Sequence, residues 1–315
     1  MQVYPLFGES GARVVKEVVH CLAVGDEAPT EVKEGNLFLF PKKGVPSKEN
    51  MRPITVTNAI YRIIMSVIRK LITERIDNLV GQHQKAFIPG RRMSDHIADV
   101  LEHFYMDVVL GLDVQYLLVD FAKAYDRMSR SSLNRIMEGQ GWCPGLRRLI
   151  MTMNDRSAVF LIVGLHVQSI ITGRGVRQGC PVSPLLFNLG IEPLARSLMK
   201  AGIQIWVFAD DVILRLVSDE QAAKARELFS VYERATGSMV SEGKTVVVSP
   251  TGPGRDVCGW PGVKQATHAT YLGVLFGKDI DSYNFLDGVG AKMEARLALF
   301  QPRKYSFSTT ERIRV

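Results

Sequence analysis

Apolar residues run in short unbroken blocks through the middle of the chain and at helical spacing on either side of it. Tyr116–Val119 is one such block and stops abruptly at Asp120, while IWVF at 205–208 and VIL at 212–214 enclose Ala209, Asp210 and Asp211. β-Branched and aromatic residues favour strands, and a small residue followed by two charges favours a tight turn. Residues 205–214 therefore predict strand–turn–strand with paired carboxylates at the tip. Other strands are expected at 36–45, running into a basic turn at Pro41–Gly44, and at 159–163 and 167–171, a hairpin across Gly164. Two more are expected at 245–248 and at 271–276, the latter a single strand containing Gly273.

Helical spacing is clearest over 58–80, where Ile60, Ile63, Ile64, Val67, Ile68 and Leu71 oppose Arg62, Arg69, Lys70 and Arg75, with Gly81 as the stop. A second amphipathic helix is expected over 94–110, with Ser94 as its cap. Others are expected over 131–139, 146–153, 185–199, 219–237 and 285–300, and Val14, Val15, Val18 and Val19 keep a helical rhythm near the start. QKAFIPGRR at 84–92 and the Pro- and Gly-rich 249–262 read as loops, and 301–315 as frayed.

A chain of 315 residues, 46% hydrophobic and 23% charged, can bury a sizeable core in one large or a few smaller domains. Its net charge of +7 suits a polyanionic partner without requiring one. Four cysteines without a C-x-x-C pair and six scattered histidines give no zinc signature and suit a reduced intracellular setting, nuclear or cytoplasmic in a eukaryote. No apolar run reaches membrane-spanning length and no signal peptide is evident, so no membrane partner is expected.

The acids bring in the chemistry. Asp120 ends a buried strand, a place where functional residues gather, and two adjacent carboxylates at 210 and 211 repel one another unless a cation intervenes. Three carboxylates from two segments can hold two hard divalent cations, and Mg2+ suits this oxygen set, which points to phosphoryl or nucleotidyl transfer. An exposed Asp pair at a hairpin tip is the alternative these residues leave open. The absence of G-x-x-x-x-G-K-[ST] argues against a small-molecule phosphotransferase with a phosphate loop.

LLVDFAKAYDR at 117–127, GVRQGCPVSPLLFNL at 175–189 and VFADDVIL at 207–214 resemble three motifs of the reverse transcriptase domain. The likeness is closest to non-LTR retrotransposons, with group II intron enzymes more distant, and covers roughly residues 36–300. KKG with RPI, SEGKT and YLGVLF are similar to the fingers hairpin, the lysine motif and the primer-grip hairpin, in the family's order. The resemblance implies an α+β, right-hand polymerase fold with an antiparallel palm sheet, fingers and a short or incomplete thumb. Residues 1–115 would be an N-terminal segment and fingers. Residues 116–276 would be the palm, including the primer-grip hairpin, with 146–180 partly at the fingers boundary, and 277–315 would start a truncated thumb. Asp120 and the Asp210–Asp211 turn should lie on adjacent palm strands, flanked by the helices near 131–139, 185–199 and 219–236.

The activity implied is RNA-directed DNA polymerisation, adding deoxynucleotides to a primer 3′-hydroxyl with two Mg2+ ions, for which Mn2+ can substitute. Its partners would be an RNA template, a DNA or RNA primer and deoxynucleoside triphosphates. Asp120 and Asp210 would be the main metal ligands, Asp211 a supporting acid, and Phe121 would offer its backbone carbonyl. Tyr125 would lie under the incoming sugar, Gln178 would line the nucleotide pocket, and Arg52 with Lys42 or Lys43 would hold the triphosphate. Lys244 would approach the leaving pyrophosphate and donate a proton. The chain departs from the family pattern at Phe208, where tyrosine is commoner, and at Ser241, where asparagine is usual. With about 35 residues before the fingers hairpin and about 40 after the primer-grip strand, it resembles a fragment or stand-alone derivative of a retroelement protein. The competing expectation is a catalytically weak or inactive nucleic-acid-binding fragment. An RNA-directed RNA polymerase is disfavoured by Tyr125 and by Ala209 ahead of the acids.

Overall fold

A computed structural model describes residues 8–26, 29–41, 51–155, 157–163, 166–278 and 294. The first part of the chain forms α1 (Gly8–Val24), α2 (Thr30–Lys33), β1 (Gly35–Pro41), β2 (Met51–Thr57), α3 (Ala59–Thr73), α4 (Ile76–Leu79), α5 (Met93–Val109) and β3 (Gln115–Val119). Next come α6 (Ala124–Arg127), α7 (Arg130–Gly139), α8 (Pro144–Asn154), β4 (Ser157–Val163), β5 (His166–Thr172), α9 (Ser183–Lys200), β6 (Gln204–Phe208) and β7 (Asp211–Leu216). The last are α10 (Asp219–Thr236), a 3-10 turn at Glu242–Lys244, β8 (Val246–Ser249), β9 (Gly252–Pro253), β10 (Lys264–Gln265), β11 (His268–Tyr271) and β12 (Val274–Gly277). This is a mixed α and β architecture, and among the described residues no helix is long and apolar enough to cross a membrane.

The central sheet runs β10-β8-β3-β7-β6, with β9 paired to β8. Its strand pairs are antiparallel, as the expected antiparallel sheet has them, except for the parallel pair β10 with β8 at one edge. That edge forms because the loop after β9 carries the chain back before β10 is laid down, and Lys264 N–H then reaches the Thr245 carbonyl. A separate sheet, β2-β1-β4-β5, joins the two sequence-expected hairpins through a parallel β1–β4 contact at Gly35↔Val159 to Leu37↔Leu161.

Both faces of the central sheet are covered, which is why its strands read as continuous apolar runs rather than alternating ones. Leu117, Val119, Val207, Val212 and Leu214 point into the larger core with Phe187 and Leu194 of α9 and Phe229 of α10. Tyr116, Trp206, Ile213 and Val248 point the other way, against Val100 and Phe104 of α5 and Tyr271 of β11. Each fully buried large side chain contributes about 1.5–3 kcal/mol by leaving water. Asp107 pins α5 to this second face, taking Arg215 Nε and Nη2 at 2.6 and 2.7 Å and the Tyr116 hydroxyl at 2.6 Å. Burial alone would raise the Asp107 carboxyl, but these donors hold it below its ordinary value.

Three local expectations are corrected. The helix over 58–80 is two helices, because the backbone leaves helical geometry at Arg75 (φ −121°, ψ 7°). Ser94 is not a cap: α5 starts one residue earlier, behind extended Arg92, and the Ser94 hydroxyl bonds Asp95 within the first turn. The single strand at 271–276 is the β11–β12 hairpin, turning at Leu272 (φ 48°) and Gly273 (φ 85°). Left-handed backbone at both central positions makes a tight hairpin turn, and leucine rarely accepts it, so the run looked continuous. Apart from Glu294, the helix expected over 285–300 lies outside the described residues, as do the segment 301–315 and the basic turn carrying Lys42 and Lys43.

Candidate active site

The acids meet at one end of the central sheet because the strands that carry them are paired there. β3 and β7 are antiparallel with Val119 opposite Val212, so Asp120 leaves β3 beside the start of β7, where Asp211 stands. β6 and β7 close a hairpin at Phe208↔Asp211, leaving Ala209 and Asp210 as its two turn residues. Ala209 takes φ 58°, a left-handed conformation uncommon for a residue with a Cβ. Asp120 is held by its backbone: its N–H donates to Thr245 Oγ1 at 3.3 Å and its carbonyl accepts the Ser241 N–H at 2.7 Å.

Burial, then the neighbouring charges of Asp210 and Asp120, push the Asp211 carboxyl up to about 7. Asp211 is nonetheless exposed at the start of β7, so solvent screens much of that repulsion. Asp120, Asp211 and Lys244 line one cleft of about 380 Å3 together with Lys264, His268 and Tyr271. Lys244 is exposed on the 3-10 turn that Thr245 and Ser241 anchor to the Asp120 backbone.

The donor chemistry fits a hard divalent cation: carboxylate oxygens from Asp120, Asp210 and Asp211, the first two of which add their charge to the field at Asp211. Among the described residues, however, no group of three or more His, Cys, Asp or Glu side chains is gathered so as to hold a metal ion. Phe121 is buried, with its ring stacked on Phe229 at 5.8 Å. Its bridge to Val240 is closed by hydrogen bonds of the flanking residues, Ala122 N–H to the Met239 carbonyl and Ser241 N–H to the Asp120 carbonyl.

Tyr125 sits in the short α6, entered through left-handed Lys123, and stacks on Phe187 of α9 at 4.6 Å and 14°. Its hydroxyl is raised above its ordinary value, by burial first and by the Asp210 charge second, which places it in the field of the acids. Gln178 is half-buried, with Nε2 3.4 Å from Asp126 Oδ1, and its carbonyl accepts the Thr55 N–H at 2.8 Å. Gly179 allows that approach, since a Cβ there would stand 2.3 Å from the Thr55 carbonyl oxygen. Arg52 is exposed on β2, in register with Phe40, so the structure brings it to the two-hairpin sheet rather than to the cleft lining.

Lys264 and His268 carry no local signal, because β10 is only two residues long and β11 begins at His268, three residues ahead of the strand expected at 271–276. Gln84 was also missed. It lies in the segment read only as a loop, is fully buried, and bonds the backbone of Ala209 in the β6–β7 turn.

The family described as Reverse transcriptase (RNA-dependent DNA polymerase) matches residues 40–276. The Transposon TX1 uncharacterized 149 kDa protein of Xenopus laevis is 26% identical over 232 residues, covering 70% of this chain and 18% of its own length. A retrovirus-related Pol polyprotein from the type-1 retrotransposable element R2 of Popillia japonica is 25% identical over 260 residues, covering 77% of this chain and 36% of its own. The chain thus spans well under half the length of these curated relatives. Among solved structures, apo telomerase from Candida tropicalis truncated from its C-terminal domain superposes with a TM-score of 0.59 at 13% identity. That likeness covers 83% of this chain and 57% of the other, and at such identity it speaks for the fold alone.

Proposed function

The chain belongs to the reverse transcriptase (RNA-dependent DNA polymerase) family, and from that premise we propose that it is an RNA-directed DNA polymerase of the non-LTR retrotransposon type. The observation that carries this is that Asp120 and the Asp210–Asp211 turn lie at one end of adjacent antiparallel strands, with Asp120, Asp211 and Lys244 lining one cleft. The central sheet with α9 and α10 is then the palm, and the β2-β1-β4-β5 sheet belongs to the fingers. The β11–β12 hairpin is the primer grip.

Asp120 and Asp210 would hold two Mg2+ ions, or Mn2+ in their place, with Asp211 as supporting acid and the Phe121 carbonyl as a further oxygen. Bound there, the metal supplies charge stabilisation at the phosphoryl oxygens and a lower pKa at the primer 3′-hydroxyl. Lys244 faces the same cleft and donates a proton toward the leaving pyrophosphate, a role that solvent exposure and a tethered backbone permit. Arg52, exposed on the two-hairpin sheet outside the cleft lining, would with Lys42 or Lys43 bring positive charge to the triphosphate from that side, and Gln178 would orient the nucleotide. Tyr125 presents a ring braced by Phe187 under the sugar, which favours deoxynucleotides.

The second reading, a nucleic-acid-binding chain with weak or no catalysis, is favoured by the lack of a gathered metal-ligating group among the described residues. Primer extension on a defined RNA–DNA duplex with Mg2+ and deoxynucleoside triphosphates separates the two. Extension by wild type and its loss in D120N and D210N, with unfolding midpoints retained, supports the polymerase. Extension by D120N at the wild-type rate sinks the proposed mechanism, and duplex binding without extension by wild type favours the second reading.

A further inference from the structure

We propose that Gln84 is a positioning residue that holds the Asp210–Asp211 turn in its working conformation. This rests on the turn being the catalytic one, as proposed above. Gln84 comes from a segment 125 residues away in sequence and shows no exposure to solvent. Gln84 forms a parallel bridge to Val207 of β6: Val207 N–H donates to the His83 carbonyl and Lys85 N–H to the Val207 carbonyl, both at 3.0 Å. From there the Gln84 side chain reaches past the end of β6. Its Oε1 accepts the Ala209 N–H at 2.8 Å, and its Nε2 donates to the Ala209 carbonyl at 3.4 Å. A single primary amide thus engages both backbone groups of the one residue that precedes the acid pair.

Ala209 needs such a partner. It is buried, it holds φ 58°, and it sits in a two-residue turn where its own N–H and carbonyl lie outside the β6–β7 ladder. A residue with a Cβ relaxes out of the left-handed region unless its surroundings hold it there, and a buried amide needs a bonding partner. Relaxation at Ala209 would swing Asp210, the next residue, away from Asp120. Gln84 answers both needs, as two hydrogen bonds to one peptide pair fix its orientation as well as its position.

The platform under Gln84 is itself immobilised. Arg91 Nη1 donates to the Gly81 and Gln84 carbonyls at 2.6 and 2.7 Å, and Asn188 of α9 donates to the Ala86 carbonyl at 2.8 Å. Glu192 of α9, 1% exposed, accepts the Gly81 N–H and pairs with His83 Nε2, each at 3.0 Å. Gln84 Oε1 also accepts the Ala86 N–H at 3.0 Å, which fixes its rotamer before it meets Ala209. The clamp therefore cannot follow a turn that drifts.

The test compares wild type, Q84M, which keeps volume but makes no hydrogen bonds, and the double variant Q84M/A209G. Two readouts are taken: hydrogen exchange across 205–212, with 185–199 as the internal reference, and single-nucleotide extension resolved into kcat and KM. In Q84M, exchange at 205–212 should rise while 185–199 stays unchanged, and kcat should fall about ten- to a hundredfold with nucleotide KM within about twofold, as expected for sub-ångström misplacement of a reacting group. Glycine adopts the left-handed region without a steric penalty, so A209G in the Q84M background should return part of the lost kcat. Unchanged exchange at the turn, or equal loss in kcat and stability with no recovery by A209G, overturns the positioning role. If wild type does not extend primers but Q84M still loosens the turn, the clamp stands and the polymerase assignment falls.

Discussion

Replacing Tyr125 by valine separates a sugar gate from a core aromatic. The ring is stacked on Phe187 at 4.6 Å, an arrangement worth about 0.5–1.5 kcal/mol beyond its buried area, so Y125V will cost stability whatever else Tyr125 does. Selectivity is a separate quantity. A ribonucleotide's 2′-hydroxyl pressed against a ring that Phe187 prevents from retreating either clashes or loses its water partner, and an unsatisfied buried hydroxyl costs about 1–3 kcal/mol. That corresponds to about one to two decades in the ratio of kcat/KM for deoxy- over ribonucleotides. Valine removes the ring edge and should collapse the ratio by that amount, while Y125F, which keeps the ring and its stack, should leave it within about threefold. The assay is single-nucleotide incorporation of matched deoxy- and ribonucleoside triphosphates, with unfolding midpoints measured in parallel. If Y125V loses stability but keeps its deoxy-to-ribo ratio, Tyr125 is a palm aromatic and no gate.

Three further outcomes follow from the geometry. R215M leaves the buried Asp107 carboxylate without its bidentate partner and should cost about 3–5 kcal/mol in urea unfolding, whereas D107L/R215M should recover most of it; equal losses would contradict a buried ion pair. His96, buried with Nε2 2.6 Å from the Tyr271 hydroxyl, is lowered by burial to about 4, below its unfolded value near 6.5. Its contribution is therefore complete above pH 6.5 and lost as pH falls toward 4, at up to about 1.4 kcal/mol per pH unit, so the stability gap between wild type and H96Q should narrow across that window. A gap independent of pH would remove His96 as the source. R52A should raise the apparent nucleotide KM, while duplex binding by wild type weakens with added salt; an unchanged KM would assign Arg52 to solvation alone.

The unbroken apolar runs that end at acids were sufficient to place β3, β6 and β7 and to put Asp120, Asp210 and Asp211 at strand ends, because β-branched and aromatic blocks have few other conformations available. Helices α7, α9 and α10 were legible for a similar reason, each with an apolar face; Ser129 and Ser218 then cap α7 and α10, and left-handed Gly237 closes α10. What sequence could not carry was pairing between distant segments. Nothing in YLLV or IWVF says that α5 covers one face of the sheet and α9 the other, since a run buried on both sides looks the same whichever helix supplies each side. The parallel β1–β4 contact joins two hairpins over a hundred residues apart, and the β11–β12 turn depends on a leucine at φ 48° that local preference would not choose. Gln84 is the sharpest case. Polar, in a stretch rich in turn-formers, it has every local mark of an exposed loop residue, and only the docking of residues 83–86 along β6 buries it and gives its amide the Ala209 backbone to hold. Local propensity decided where the carboxylates sit on their strands; long-range packing decided what keeps their turn in place.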